Sequence, residues 1–309
     1  MSTITRIEDA HRPQDSAPTM TPSTAATTVF TAVTRRQVLL AALATSALPS
    51  RAQPLPSTAS DAALQAVLDA PHRSAANRAR DAWRHPLQTL QFFGLRPEMT
   101  VVELTPGGGW YTEILAPYLR SQGRFYAAHF AADSPSAGAR RARANFEARM
   151  AKAPELYDRM QLGTLPQGGR FGADLAPPGG ADLVLTFRNV HNWLQDGSLD
   201  GTLQACLALL KPGGVLGVVD HRAAPGTPVA TTMKTGYVSE ALMEERATAA
   251  GFKAAGRSDI NANPSDTREH PNGVWSLPPT LAGKELDRER FVAIGESERF
   301  THRYQRPVR

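Results

Sequence analysis

Between residues 96 and 305 the apolar positions switch repeatedly between a short unbroken run and a helical spacing, and the switches mark out strands and helices in alternation. Val101, Val102 and Leu104 suit a strand covered on both faces, while Ile114, Leu115 and Tyr118 recur one helical turn apart. The pattern goes on to predict a strand over 124–128, a helix over 137–150, strands over 160–165 and 183–187, a helix over 199–210 and a strand over 215–220. Ser239 suits the cap of a helix over 240–250, which Gly251 ends before a strand over 252–260. Upstream, a short helix from residue 61 leads to a longer one over 74–93, kinked at Pro86 and capped at Gly94. Residues 261–290 are polar and broken by Pro264, Pro271, Pro278 and Pro279, which predicts a long excursion before a last strand over 299–304. Strands alternating with helices predict a parallel sheet with helices on both faces.

The N-terminal region reads differently. Residues 1–33 are rich in Ser, Thr, Ala and Pro and carry no hydrophobic period, which predicts disorder. In TRRQVLLAALATSALPSRAQ, Arg35 and Arg36 precede an apolar run, Val38 to Leu48, that is too short to span a bilayer, and Ser50, Arg51 and Ala52 offer a cleavage site. The string Thr34-Arg35-Arg36-Gln37-Val38-Leu39 resembles a twin-arginine export signal, which implies the twin-arginine machinery as a partner and a periplasmic or secreted protein with no membrane span after processing. The long stretch before Arg35 suggests that translation starts at Met20. The expected organisation is therefore a leader over 1–52, a helical lead-in over 53–95 and an α/β domain over 96–309.

Charge and cysteine content narrow the chemistry. The chain has 34 Lys and Arg against 29 Asp and Glu, and the slight positive excess beyond residue 52 points to no polyanion; no nucleic-acid partner is expected. Cys206 is the only cysteine, which excludes an internal disulfide and a cysteine-based zinc site, and its helical face, with Leu199, Leu203, Leu207 and Leu210, predicts a buried inert thiol.

The stretch TVVELTPGGGWYTEILAPYL joins a strand to a helix through Gly107, Gly108 and Gly109, where missing side chains let backbone N–H groups approach a ligand. Together with RDAWRHPLQTLQFFGLRPEM before it, FRNVHNW, and LKPGGVLGVVDHRA, this stretch resembles the class I S-adenosylmethionine (AdoMet)-dependent methyltransferases, and within them a group of exported methyltransferases. The resemblance implies a Rossmann-like fold, with a seven-stranded, mostly parallel sheet closed by a final antiparallel strand. It also implies AdoMet as cofactor, with Glu103 and Gly107 to Gly109 holding its amino-acid part. Thr105 stands where the first glycine of that motif usually sits, followed by Pro106, and Tyr111 borders the expected pocket.

Ligands of open parallel sheets occupy the crevice beyond the carboxyl ends of the strands. Four such ends carry polar groups here: Glu103, His129, Arg188 to His191, and Asp220 with His221. His129 replaces the acidic residue that relatives use for the ribose hydroxyls, with Asp133 nearby as a substitute if its loop folds back. Arg188 and Asn189 are expected to face the cofactor. His191 is the expected general base, with Asp220 or His221 as second choice. His129, His191, His221 and Asp220 include the ligand types of a zinc or iron site, but the expected strand order keeps His129 from the others, and no metal is assigned. The methyl acceptor, small molecule or protein, is open. A fold that has lost catalysis and merely binds a ligand or scaffolds is the alternative; a nicotinamide-dependent oxidoreductase fits TPGGGWYT less well.

Overall fold

The computed structural model describes residues 59–166 and 168–308; the leader, its arginine pair and its cleavage site lie outside the described residues. Four helices come first: α1 (Ala59–Asp69), α2 (Ala75–Arg78), α3 (Asp81–Arg84) and α4 (Pro86–Phe93). Then follow β1 (Thr100–Leu104), α5 (Thr112–Leu119), β2 (Arg124–His129), α6 (Ala137–Met150), α7 (Pro154–Tyr157), β3 (Gln161–Thr164), β4 (Ala181–Phe187), α8 (Val190–Gln195), α9 (Leu199–Leu209) and β5 (Leu210–His221). The chain ends with α10 (Val229–Thr235), α11 (Glu240–Ala249), β6 (Lys253–Ser258), a 3-10 turn (Gly273–Ser276), α12 (Arg288–Ile294) and β7 (Arg299–Gln305). No helix among the described residues is long and apolar enough to cross a membrane.

Among the described residues seven strands form one sheet in the order β3-β2-β1-β4-β5-β7-β6, in which β7 alone runs against its neighbours. The final antiparallel strand implied by the resemblance is therefore present. Strand alternation sorts the sheet into two cores. Val101, Phe125, Ala127, Leu183, Leu185 and Val219 face one side and pack with Ile114 and Leu115 of α5 and Phe146 of α6. Val102, Leu104, Tyr126, Ala128, Val184, Leu216 and Val218 face the other side and pack with Leu203 and Cys206 of α9 and Met243 of α11. Burial pushes the Cys206 thiol up to about 12, so it stays protonated as a core residue. Leu64, Leu68, Leu90 and Phe93 of α1 and α4 belong to the first of these cores, each side chain contributing about 1.5–3 kcal/mol of burial.

Two expectations about local structure need correction. The helix read over 74–93 is three short helices, because His85 takes a left-handed conformation (φ 39°) ahead of Pro86, where a preceding α conformation is sterically disfavoured. The excursion over 261–290 is tied down by buried polar groups. Asn261 donates to Thr89 (3.0 Å) and Thr301 (2.8 Å), and Asp266 accepts from Tyr237 (2.8 Å), His270 (2.8 Å) and the backbone N–H of Glu298 (2.7 Å). Its polarity reflects anchoring rather than solvation.

Candidate functional site

Three adjoining cavities open at the carboxyl ends of the parallel strands. The first and largest, about 1340 Å³, lies beyond β2, β3 and β4 and is lined by Thr105, Phe130 to Pro135, Thr164, Asn189, Asn192 and Trp193, among others. A second of about 290 Å³ lies against the glycine turn and is lined by Glu103, Thr105 to Gly108, Tyr111, Arg80, Arg84, Arg188 and Asn189. The third, about 200 Å³, is enclosed by Arg188, His191, Asn192, His221 and the excursion residues Val274, Trp275, Pro278 and Thr280. Thr105 and Asn189 border the first two cavities, and Arg188 borders the second and third.

The turn between β1 and α5 is shaped for close approach. Gly107 has φ 59°, and a Cβ added there would meet nothing within 4 Å, so its backbone faces open space at the second cavity. Gly108 is exposed beside it, and Pro106 lines the same wall without an N–H to offer. Gly109 behaves differently: a Cβ there would lie 3.2 Å from Met150 and 3.4 Å from Phe146. The expectation that Gly109 faces the cofactor is corrected, since it serves the packing of the turn on α6. Thr105 holds φ 50°, an unusual conformation for a β-branched residue, and its hydroxyl is buried between the first two cavities without a partner among the described residues.

Glu103 borders the second cavity and accepts a hydrogen bond from the Thr112 hydroxyl at 2.7 Å. Burial raises its carboxyl to about 8, so near neutrality it carries a proton until a cation arrives. Tyr111 stacks on Phe187 with ring centroids 3.4 Å apart and forms the cavity wall. Asn189 donates to the Leu104 carbonyl (3.2 Å) and to the Thr186 hydroxyl (3.1 Å), which fixes its amide and leaves its carbonyl oxygen uncommitted among the described residues.

His129 does not reach the ligand crevice, which corrects its expected contact with the cofactor. It shares the strand face of Phe125 and Ala127, so its ring is buried against Phe146, and its Nδ1 accepts from the backbone N–H of Phe130 (2.8 Å). Burial and then the Arg143 charge lower it to about 4, leaving it neutral beside the Gly107 backbone. Asp133, four residues on, lines the first cavity and has no hydrogen-bond or ion-pair partner among the described residues.

His191 and Asp220 meet because His191 follows β4 while Asp220 lies near the end of its neighbour β5. Asp220 accepts from three donors: the backbone N–H of Val190 (2.6 Å), the backbone N–H of His221 (2.7 Å) and His191 Nδ1 (3.0 Å). That acceptor role assigns the proton to Nδ1 and leaves the Nε2 lone pair of His191 free to take one. Asp220 is fully buried and committed to these bonds, so it is a positioning residue rather than a base. His221 lies with its ring 5.1 Å from that of His191, and its Nδ1 is bonded to the Ser297 hydroxyl. Burial is the main cause that lowers it well below the usual histidine range and keeps it neutral. Ligand atoms of His191, Asp220 and His221 lie within 4.8 Å of one another, while His129, at the end of β2, is not among them.

A charged cluster that the sequence reading did not pick out surrounds the junction of the second and third cavities. Glu296 bonds Arg80 (2.6 Å), Arg84 (3.1 Å) and Arg299 (3.0 Å). Burial alone would raise its carboxyl, but the charges of Arg84, Arg299, Arg188 and Arg80 hold it down to about 2. Arg84 also lies over the Trp110 ring, 4.7 Å from its centroid. The spacing of Arg80 and Arg84 in RDAWRHP places both on one side of a short helical segment, which is the one sequence signal for this cluster.

The residues present fit AdoMet. An open backbone cradle at Gly107, the unpartnered Thr105 hydroxyl, the free Asn189 oxygen and two joined cavities suit an extended nucleoside with an amino-acid tail.

No family model and no curated protein matches the sequence. Solved structures do. A candidate sarcosine dimethylglycine methyltransferase from Galdieria sulphuraria aligns with a TM-score of 0.53 at 14% identity, over 77% of this chain and 89% of that one. The [4+2]-cyclase SpnF aligns with a TM-score of 0.50 at 18% identity, over 77% and 86%. A SAM-dependent methyltransferase from Aquifex aeolicus gives 0.49 at 15% identity, over 79% and 97%. Since a methyltransferase and a cyclase share it, the likeness speaks to architecture and leaves the reaction to the site. The chain has the class I methyltransferase fold: a seven-stranded, mostly parallel Rossmann-like sheet closed by one antiparallel strand.

Proposed function

We propose that this chain is an AdoMet-dependent methyltransferase. The observation that carries the reading is the His191–Asp220 pair, with His191 lining a cavity that shares Arg188 with the cavity at the glycine turn. Gly107, Gly108, Thr105, Asn189 and Glu103 would hold the amino-acid end of AdoMet, and Asp133 the nucleoside side. When bound, AdoMet would supply an electrophilic methyl group to an acceptor lone pair, with the S–CH3 bonding electrons returning to sulfur. His191 takes the acceptor proton at Nε2, and Asp220 stabilises the resulting imidazolium through Nδ1–H. The walls contributed by Trp275 and Tyr111 restrict water and align the acceptor.

The acceptor is a small molecule or a protein side chain. Export by the twin-arginine machinery, and with it a periplasmic or secreted location, is part of the proposal and rests on the string Thr34 to Leu39 alone. Division into a leader over 1–52, a lead-in over 53–95 and a methyltransferase-like domain over 96–309 is proposed on the same footing. The alternative, a ligand-binding or scaffolding protein without catalysis, draws support from the proton on Glu103 and the withdrawal of His129 from the crevice.

Calorimetric titration separates the two. AdoMet is expected to bind with a dissociation constant near 1 μM, about −8 kcal/mol, and NAD not to bind. Gly107→Val, which puts a β-branched side chain into the cradle at positive φ, is expected to weaken AdoMet at least ~10-fold. Absence of binding by both AdoMet and its demethylated product would leave the scaffold reading.

A further inference from the structure

The charge around the second and third cavities does not balance. Arg80, Arg84, Arg188 and Arg299 converge there, and Glu296 is shared by three of them. Arg149, at the rim, is already paired with Glu113, and Glu103 is neutral at pH 7. The outer nitrogens of Arg80 and Arg84, Nη2 in each, are buried without a hydrogen-bond partner among the described residues.

Arg188 is the most exposed to this imbalance. Its guanidinium makes no hydrogen bond or ion pair among the described residues, yet the residue is half-buried and borders both cavities. Its backbone sits in the left-handed region (φ 62°), fixed there by its N–H donating to the Val219 carbonyl at 2.7 Å. A non-glycine residue held in that conformation with an unpaired cation is positioned for something outside the chain.

AdoMet cannot supply the missing charge. It carries a sulfonium and an ammonium against one carboxylate, so it brings a net positive charge of its own. Its carboxylate meets Arg80 and Arg84 on the wall of the second cavity, which leaves Arg188 for the third, where His191 and His221 stand. We infer that the methyl acceptor carries an oxyanion, a carboxylate or phosphoryl group, that binds to Arg188 in the cavity walled by His191, His221 and Trp275. This rests on the methyl-transfer reading and reassigns Arg188 from cofactor to acceptor. Fork-shaped pairing of guanidinium with carboxylate or phosphate would then set the acceptor's nucleophile at a fixed distance from His191.

The test uses the full chain in calorimetry. One arm titrates AdoMet alone. The other titrates benzoate, benzamide as its uncharged counterpart, and inorganic phosphate into AdoMet-saturated protein, for the wild type, Arg188→Gln and Arg188→Lys. At least one of the two anions is expected to bind the wild type in the millimolar range or better, and benzamide not to bind. Arg188→Gln is expected to weaken that anion at least ~10-fold while AdoMet moves less than ~3-fold, and Arg188→Lys to restore part of the loss. Preference between benzoate and phosphate tells a carboxylate from a phosphoryl acceptor. If AdoMet binds and neither anion does, or if Arg188→Gln leaves anion binding unchanged, the inference is overturned and the cofactor reading survives. If AdoMet itself fails to bind, the cofactor reading falls, and the anion titrations repeated without it still decide whether Arg188 is an anion site.

Discussion

Replacing Glu296 with glutamine is expected to lower the thermal unfolding midpoint by about 6–20 °C. Glu296 is the shared acceptor for Arg80, Arg84 and Arg299, with the Arg84 and Arg299 ends of the network buried. Removing one partner of a buried ion pair costs about 3–5 kcal/mol because the remaining charges stay buried and unpaired. For a domain of this size each kcal/mol corresponds to roughly 2–4 °C. The pH dependence has a definite sign. The folded-state value of about 2 lies below the reference value of 4.5, so the carboxylate contributes its full stability above pH 4.5 and loses it as the pH falls toward 2. The difference between wild type and Glu296→Gln, about 3 kcal/mol by this linkage, should therefore shrink as acid is added. Melting curves from pH 7 to pH 3 check both parts; a shift under ~2 °C at pH 7 would show that the arginines find other partners.

Replacing His191 with glutamine is expected to slow methyl transfer by ~10²–10⁴-fold while changing AdoMet affinity less than ~3-fold. Glutamine can still donate to Asp220 and fill much of the same space, but it cannot accept a proton. The rate is read as single-turnover conversion of AdoMet with an acceptor found by screening phenols, amines and carboxylates. A loss smaller than ~10-fold would move the base to His221, whose ring shares the cavity, or show that the acceptor needs none.

Much of the sheet was legible because its signals are local. Helix α6 runs over the predicted residues because Ser136 caps it, its side chain accepting from the Ala139 N–H, and Met150 ends its buried face. Strands β1, β2 and β4 appear where short apolar runs stand between turns, and the His191–Asp220 pair follows from two adjacent strands ending at the same edge. What was not legible depends on distant partners or on strand parity. His129 ends a strand at the right place but on the face that looks toward α6, a matter of one residue in a two-residue period. The arginine cluster joins Arg80 and Arg84 to Glu296 and Arg299 across more than 200 residues, and only closure of the sheet by β7 brings them together. Likewise, the polar composition of 261–290 gave no hint that Asn261 and Asp266 would be buried anchors or that Trp275 would wall a cavity.

A crystal structure of the chain grown with excess AdoMet tests the central claim most directly. The account predicts the amino-acid end of the cofactor against the Gly107–Gly108 backbone, with its nucleoside in the large cavity beside Asp133 and Asn189. Electron density that left both cavities empty, or that showed Tyr111 or Trp110 swung over the turn in every copy, would contradict it.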